Sequence, residues 1–233
     1  MAEMFRSTLR ARGLRPAPLA LAAFLVATAT FLGWVDGGID PLTAIVIASI
    51  STIVTSAGLI GSDVADGTVQ LVLARPLTRN QYLAGRFLGA ATLAVLAGVL
   101  ILCGGTAGVW LRSGRLDREE LTLLAITTLA HLLWQTTLCF ALSTFAPGHG
   151  DVVAYLVLLV ASRLLAWQAS DVSWPWLAAA FHWWADQVEN ELTYSGFSLT
   201  FLQDLVRWLS NGAVTLLLGA LVFRHRQFSY GAG

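Results

Sequence analysis

The segment Ser62–Arg86 reads SDVADGTVQLVLARPLTRNQYLAGR. It is a polar, arginine-bearing island between two long apolar runs. Ser62 is placed to cap a helix beginning at Asp63, with Asp63 and Asp66 near its positive end. Val69, Leu71, Val72 and Leu73 supply an apolar patch. Gly67 weakens such a helix by about 1 kcal/mol against Ala, which points to a steric reason for its presence. Pro76 keeps Arg75 out of the helical region. Thr78-x-x-Gln81 forms a capping box, with Leu77 and Tyr82 as its hydrophobic staple. The island therefore predicts a short helix, a sharp turn and a capped start to the next helix. A loop that only fixes topology and touches anionic lipid needs neither Gly67-Thr68 nor the Pro76 turn; a surface that grips a soluble partner has use for both.

The runs on either side decide the solvent. Of 233 residues, 56% are hydrophobic and 12% charged, where a soluble domain carries about 25% charged residues. Six runs are long enough to cross a bilayer as helices, at Pro18–Val35, Leu42–Gly61, Tyr82–Trp110, Leu121–Phe145, Val152–Gln168 and Leu205–Phe223. The expected fold is an all-α integral membrane protein, with residues 1–233 forming a single six-span domain. Tyr82–Trp110 exceeds what a bilayer needs, so its first turns project beyond the membrane or the helix tilts.

Arginine sets the orientation. Arg6, Arg10, Arg12, Arg15, Arg75, Arg79, Arg86, Arg224 and Arg226 fall on one side, which becomes the cytoplasmic side, with both termini there. The other side holds Arg112, Arg115 and Arg118 among the acids Asp36, Asp40, Asp117, Glu119, Glu120, Asp171, Asp186, Glu189 and Glu191. Eight of the nine tryptophans fall at or near that outer side, Trp134 alone lying deep in a span. The first run resembles a signal peptide, with an Arg-rich start and Ala27-Thr28-Ala29, but its long Arg region favours a retained first span. Residues 1–17 read as an inner-interface segment, either a short helix with Phe5 and Leu9 one turn apart or a frayed basic tail.

Residues 169–204 are too aromatic for a solvated loop and too broken for a span. Trp174-Pro175-Trp176, Phe181-His182-Trp183-Trp184 and Tyr194-Ser195-Gly196-Phe197 fit two short re-entrant or interfacial helices joined near Glu191–Gly196. They serve as an outer gate, with Trp183, Trp184, Tyr194 and Phe197 as its candidates, or as an aromatic anchor. Within the spans, Ser49, Thr52 and Ser56 form one polar stripe, and Thr127, His131 and Gln135 another beside Trp134. These are candidates for a substrate pathway or for helix packing. Arg163 lies within the fifth run, where a charge faces a cavity, pairs or snorkels outward. Gly85-x-x-x-Gly89 and Gly104-x-x-x-Gly108 permit close helix approach.

Several activities are excluded or disfavoured. Net charge is zero, so there is no nucleic-acid footprint. All 14 basic residues are Arg, which removes a P-loop lysine and a Schiff-base lysine. Any ATP that drives the protein is bound by another subunit, and no cofactor is expected in this chain. Cys103 and Cys139 lack metal-ligand spacing and no metal site is expected. An intramembrane enzyme lacks its motifs, since neither Gly-x-Ser-x-Gly nor His-Glu-x-x-His occurs. An ion-coupled carrier or a scaffold is the remaining alternative, although Asp151 and Asp204 only edge the spans.

Asp66-Gly67-Thr68, Leu71-Val72-Leu73-Ala74-Arg75-Pro76-Leu77-Thr78-Arg79 and Tyr82-Leu83-x-Gly85-Arg86 together resemble the first cytoplasmic loop of ABC-2 type transporter permeases. Asp63 and Asp66 stand where Glu is common in that family, and Arg86 where Lys is common. The resemblance implies that residues 62–81 hold a coupling helix between spans 2 and 3. Asp63, Asp66, Gly67, Thr68, Arg75, Pro76, Arg79, Tyr82 and Arg86 would then engage an ATPase subunit that binds ATP and Mg. It further implies a re-entrant helix pair between spans 5 and 6, a second permease copy (homodimer or heterodimer), export, and residence in the cytoplasmic (inner) membrane in contact with lipid. The apolar spans and aromatic outer segment suggest an amphipathic substrate.

Overall fold

In the computed structural model, residues 5–8, 16–36, 41–74, 78–146, 148–169, 174–189, 192 and 198–225 are described, and every regular element among them is helical. The helices longer than one turn are α1 (Pro16–Asp36), α2 (Pro41–Ser56), α3 (Gly61–Ala65), α4 (Thr68–Leu73), α5 (Arg79–Ser113), α6 (Arg118–Phe145), α7 (Gly150–Ala169), α8 (Pro175–Glu189) and α9 (Leu199–His225). Six helices are long and apolar enough to cross a membrane, α2 and α3 counting as one such stretch. These are the six expected spans, with ends displaced by a few residues. The bundle has an insert end, carrying α3 and α4, and an aromatic end, where α1, α5 and α7 finish.

α6 is the central post. It packs on α2, α5, α7 and α9, and 56% of its apolar stretch is buried within the molecule, against 6% for α9. The outer faces of α1, α7 and α9 carry exposed Phe24, Phe31, Val153, Val157, Val206, Leu217 and Leu218. Rows of bare aliphatic side chains on helices of this length are stable against hydrocarbon, not water.

α1 and α5 run parallel and touch through glycine. A Cβ on Gly108 would strike the Thr30 carbonyl oxygen, and one on Gly104 would meet Val26 and Thr30 at 2.9 Å. The offset between partners is constant along the pair. Val26 meets Gly104, Thr30 meets Gly108 and Trp34 meets Arg112, each pair separated by 78 residues. Gly104-x-x-x-Gly108 therefore does what small-x-x-x-small spacing permits, bringing two backbones together. Gly89 plays the same part against Thr8, whose Cβ would lie 2.7 Å from an added Cβ.

At 35 residues, α5 is about 52 Å long, well beyond the roughly 30 Å hydrocarbon layer. Its surplus is used at both ends: Tyr82 and Arg86 hold the insert, and Arg112 donates to the Trp34 carbonyl. α8 folds back along α7 and reaches far enough into the bundle for the Trp134 indole, midway along α6, to donate to the Val188 carbonyl at 2.8 Å. A single helix, α8, thus occupies the segment where a re-entrant pair was expected. A separate second one is not found among the described residues, because Leu199–Asp204 is continuous with the last span. Most of the expected junction near Glu191–Gly196 lies outside the described residues, as do Leu9–Arg15 of the N-terminal segment. Residues 5–8 form one helical turn, with Thr8 fully buried.

Candidate coupling site

The insert is two helices, not one. α3 ends at Asp66, and Gly67 at φ +70° opens α4. A Cβ on Gly67 would meet nothing within 4 Å, so the steric reason expected for this glycine is replaced by a conformational one: the left-handed region is costly for other residues. Ser62 does not cap α3. The helix starts one residue before it, and the Ser62 hydroxyl donates back to the Gly58 carbonyl at 2.5 Å. The difference follows from α2, which stops at Ser56 instead of continuing to Gly61. Gly58 then adopts φ +63° as the chain turns. The capping box at Thr78 forms as expected, with Thr78 Oγ1 accepting from Gln81 N at 3.2 Å and Gln81 Oε1 from Thr78 N at 3.1 Å.

The apolar side of the insert is buried in its own bundle. Leu59, Ile60 and Val69 are fully enclosed with Tyr82, Leu83, Phe140 and Phe223, and Val64 and Val72 pack on this cluster. Val69 and Val72 of the apolar patch thus face α5, α6 and α9. Asp63 lies beneath it. Its Oδ2 accepts from the Tyr82 hydroxyl at 2.5 Å and pairs with Arg86. The Arg86 guanidinium also donates to Thr8 Oγ1 at 3.2 Å and lies 5.7 Å from the Tyr82 ring centroid, while Tyr82 stacks on Phe223 with centroids 5.7 Å apart. Arg79 Nη1 donates to the Arg224 carbonyl at 2.5 Å, in the last turn of α9, where a cation complements free carbonyl groups. Asp63, Arg79, Tyr82 and Arg86 thus bind the insert and the start of α5 to the N-terminal turn and to α9. Ala65 and Asp66 remain exposed at the Gly67 break, with Thr68 half-buried. Arg75 and Pro76 lie outside the described residues.

A family model described as an ABC-2 family transporter protein matches residues 5–222. The chain belongs to the ABC-2 transporter family. That makes it a multi-pass membrane permease subunit of an ABC transporter, with ATP hydrolysis residing in a separate ATPase subunit. No curated protein matches it significantly.

Of the candidate pathway residues in the ABC-2 bundle, those of α2 and those of α6 other than Trp134 share one seam. Thr52 and Ser56 of α2 are fully buried, and the Ser49 carbonyl lies 3.5 Å from Gln135 Nε2 of α6. Ser56 Oγ, Thr128 Oγ1, His131 Nδ1 and Gln135 Oε1 are buried without a hydrogen-bond partner. Trp134 points away from this seam, toward α8. Arg163 is exposed on α7, and Trp183 and Trp184 face outward from α8. Tyr194 and Phe197 lie outside the described residues.

Sequence reasoning missed three partners of the site. Thr8 lay in a segment read for its arginines and for Phe5 and Leu9, Phe223 is an ordinary apolar residue of the last span, and Asp151 read as an acid at the edge of a span. Asp151 is fully buried, and its Oδ2 accepts from the Gly58 amide at 2.7 Å. The one available signal was an acid beside an apolar run, since such a group is buried only when it is bonded.

Proposed function

We propose that this chain is the membrane half-unit of an ABC exporter in the cytoplasmic (inner) membrane, with both termini and the insert on the cytoplasmic side. Two permease copies, identical or paired with a similar chain, act with two ATPase subunits that bind ATP and Mg. The observation that carries the reading is the construction of α3 and α4. Their apolar side is bolted to α5, α6 and α9, and the corner between them is exposed at Ala65 and Asp66. A short element fixed at its base transmits a push as a rigid body, whereas a loose loop absorbs it.

The nine candidate coupling residues then divide by task. Asp66, Gly67 and Thr68 meet the ATPase, with Arg75 and Pro76 in the turn that follows. Asp63, Arg79, Tyr82 and Arg86 carry its displacement into the spans. An amphipathic substrate passes along the seam of Ser49, Thr52, Ser56, His131 and Gln135, with Trp134 and Arg163 at its margins, and leaves past the aromatic gate of Trp183, Trp184, Tyr194 and Phe197. The unpartnered seam atoms support this path, because buried polar groups without partners are costly unless something visits them.

The test is co-purification with the ATPase encoded beside this chain, followed by ATPase assays in liposomes. Asp66→Ala is expected to leave the permease folded and to lower its modulation of ATPase activity by about tenfold, equivalent to about 1.4 kcal/mol of coupling. Recovery of the folded permease without any ATPase, or full modulation by Asp66→Ala, would overturn the reading.

A further inference from the structure

We infer that Asp151 is a positioning residue of the transport cycle, tying the insert to α7 so that a displacement of the insert reaches α8 at the opposite end of the bundle. The inference rests on the coupling reading above and adds a second output to it.

The tie is a side-chain carboxylate bonded to main chain, with one backbone–backbone bond beside it. Asp151, in the first turn of α7, accepts from the Gly58 amide through Oδ2 at 2.7 Å and from the Val152 amide through Oδ1 at 2.9 Å. Three residues along, the Gly61 carbonyl accepts from the Gly148 amide at 2.8 Å. The two long-range bonds clasp both flanks of the turn between α2 and α3 to the turn between α6 and α7. Gly61 leaves no room for slack: a Cβ there would strike the Gly148 carbonyl oxygen and lie 2.6 Å from that of Ala146. A carboxylate enclosed away from water makes short, strong bonds to amides. Because it grips main chain and no flexible side chain of the insert, any shift of Gly58 is passed to α7 undiminished.

The far end of the relay is α8. α7 is only lightly embedded, with 17% of its apolar stretch buried, and α8 packs along it. On this inference the two move together, with the Trp134–Val188 bond as their tether to α6, Asp151 at one end and exposed Trp174 and Trp176 at the other. The Asp63–Arg86 joint drives α5 and α9; the Asp151 clasp drives this hairpin.

The experiment uses the reconstituted permease–ATPase complex in a Cys103→Ser background. An environment-sensitive fluorophore is attached either to Ala65→Cys, exposed on the insert, or to Ala179→Cys, exposed on α8. Both labels are expected to respond to ATP with vanadate. In Asp151→Ala the Ala65 response persists and the Ala179 response falls by about fivefold or more. Asp151→Asn, which keeps an acceptor oxygen in place, restores it. Gly61→Ala wedges the second bond while leaving the carboxylate intact, and is expected to reproduce Asp151→Ala. An Ala179 response of native size in both Asp151→Ala and Gly61→Ala would overturn the inference. So would joint loss of both responses or failure of both variants to assemble, since Asp151 would then seat the insert or fold the bundle without relaying anything. A silent Ala65 label in the native complex would instead overturn the coupling reading on which the relay depends.

Discussion

Arg86 is almost completely enclosed, and its Nε has no partner even with Asp63 and Thr8 in place. Removing one member of a buried ion pair leaves the other uncompensated, at a cost of about 3–5 kcal/mol, whereas replacing both by apolar groups is often near neutral. Asp63→Ala is therefore expected to lower the thermal midpoint of the purified permease sharply. Asp63→Ala combined with Arg86→Met should recover most of that loss, as read by size-exclusion after heating. Tyr82→Phe keeps the stack on Phe223 and deletes only the hydroxyl bond to Asp63. Its expected cost is smaller, about 1.5–3 kcal/mol, and equal losses for Tyr82→Phe and Asp63→Ala would contradict this arrangement. The residue identities at this joint were legible in Ser62–Arg86. Their direction was not, because a charge flanking an apolar patch looks the same from sequence whether it faces a partner or its own core.

Glycines in one chain respond oppositely to one substitution when their elements differ in packing. In α5, Gly108→Ala forces a Cβ onto the Thr30 carbonyl of α1, so the α1–α5 pair must separate and the melting temperature should fall. Gly212 of α9 has open space around its missing Cβ, and Gly212→Ala should be neutral or stabilising by up to about 1 kcal/mol from helix propensity. Gly67→Ala also meets open space but must hold φ +70°, costing about 1–2 kcal/mol, with Gly67→Asn closer to the native protein. Circular-dichroism melts of the three alanine variants check the set, and a common sign for Gly108 and Gly212 would contradict it. Helix existence was readable for all six spans because twenty apolar residues have few alternatives in a bilayer. The Thr78 cap was readable because its partner lies three residues away. The break at Gly67 was not, since a glycine that weakens a helix and one that ends it share a letter. The Asp151–Gly58 bond spans 93 residues, and no local pattern reports a contact at that range.

At the scale of the molecule, the bundle is lopsided. α6 is wrapped on many sides while α7 and α9 present long apolar faces outward. Lipid is proposed to cover much of this surface, and a second permease copy part of it. Native mass spectrometry of the detergent-extracted complex should then show two permeases with two ATPases, and a one-to-one assembly would contradict the half-unit reading. The fixed 78-residue offset between α1 and the second half of α5 also imposes a timetable on synthesis. α1 leaves the ribosome first, yet the glycine face that receives it is made only after α2 and the insert. α1 therefore waits with α2 beside it but its glycine-facing side uncovered, with Thr30 and the backbone around Gly33 open, until Gly104 and Gly108 arrive. A lesion in the glycine face of α5, such as Gly108→Ala, is accordingly expected to act late, leaving α1 without its partner after it has been inserted.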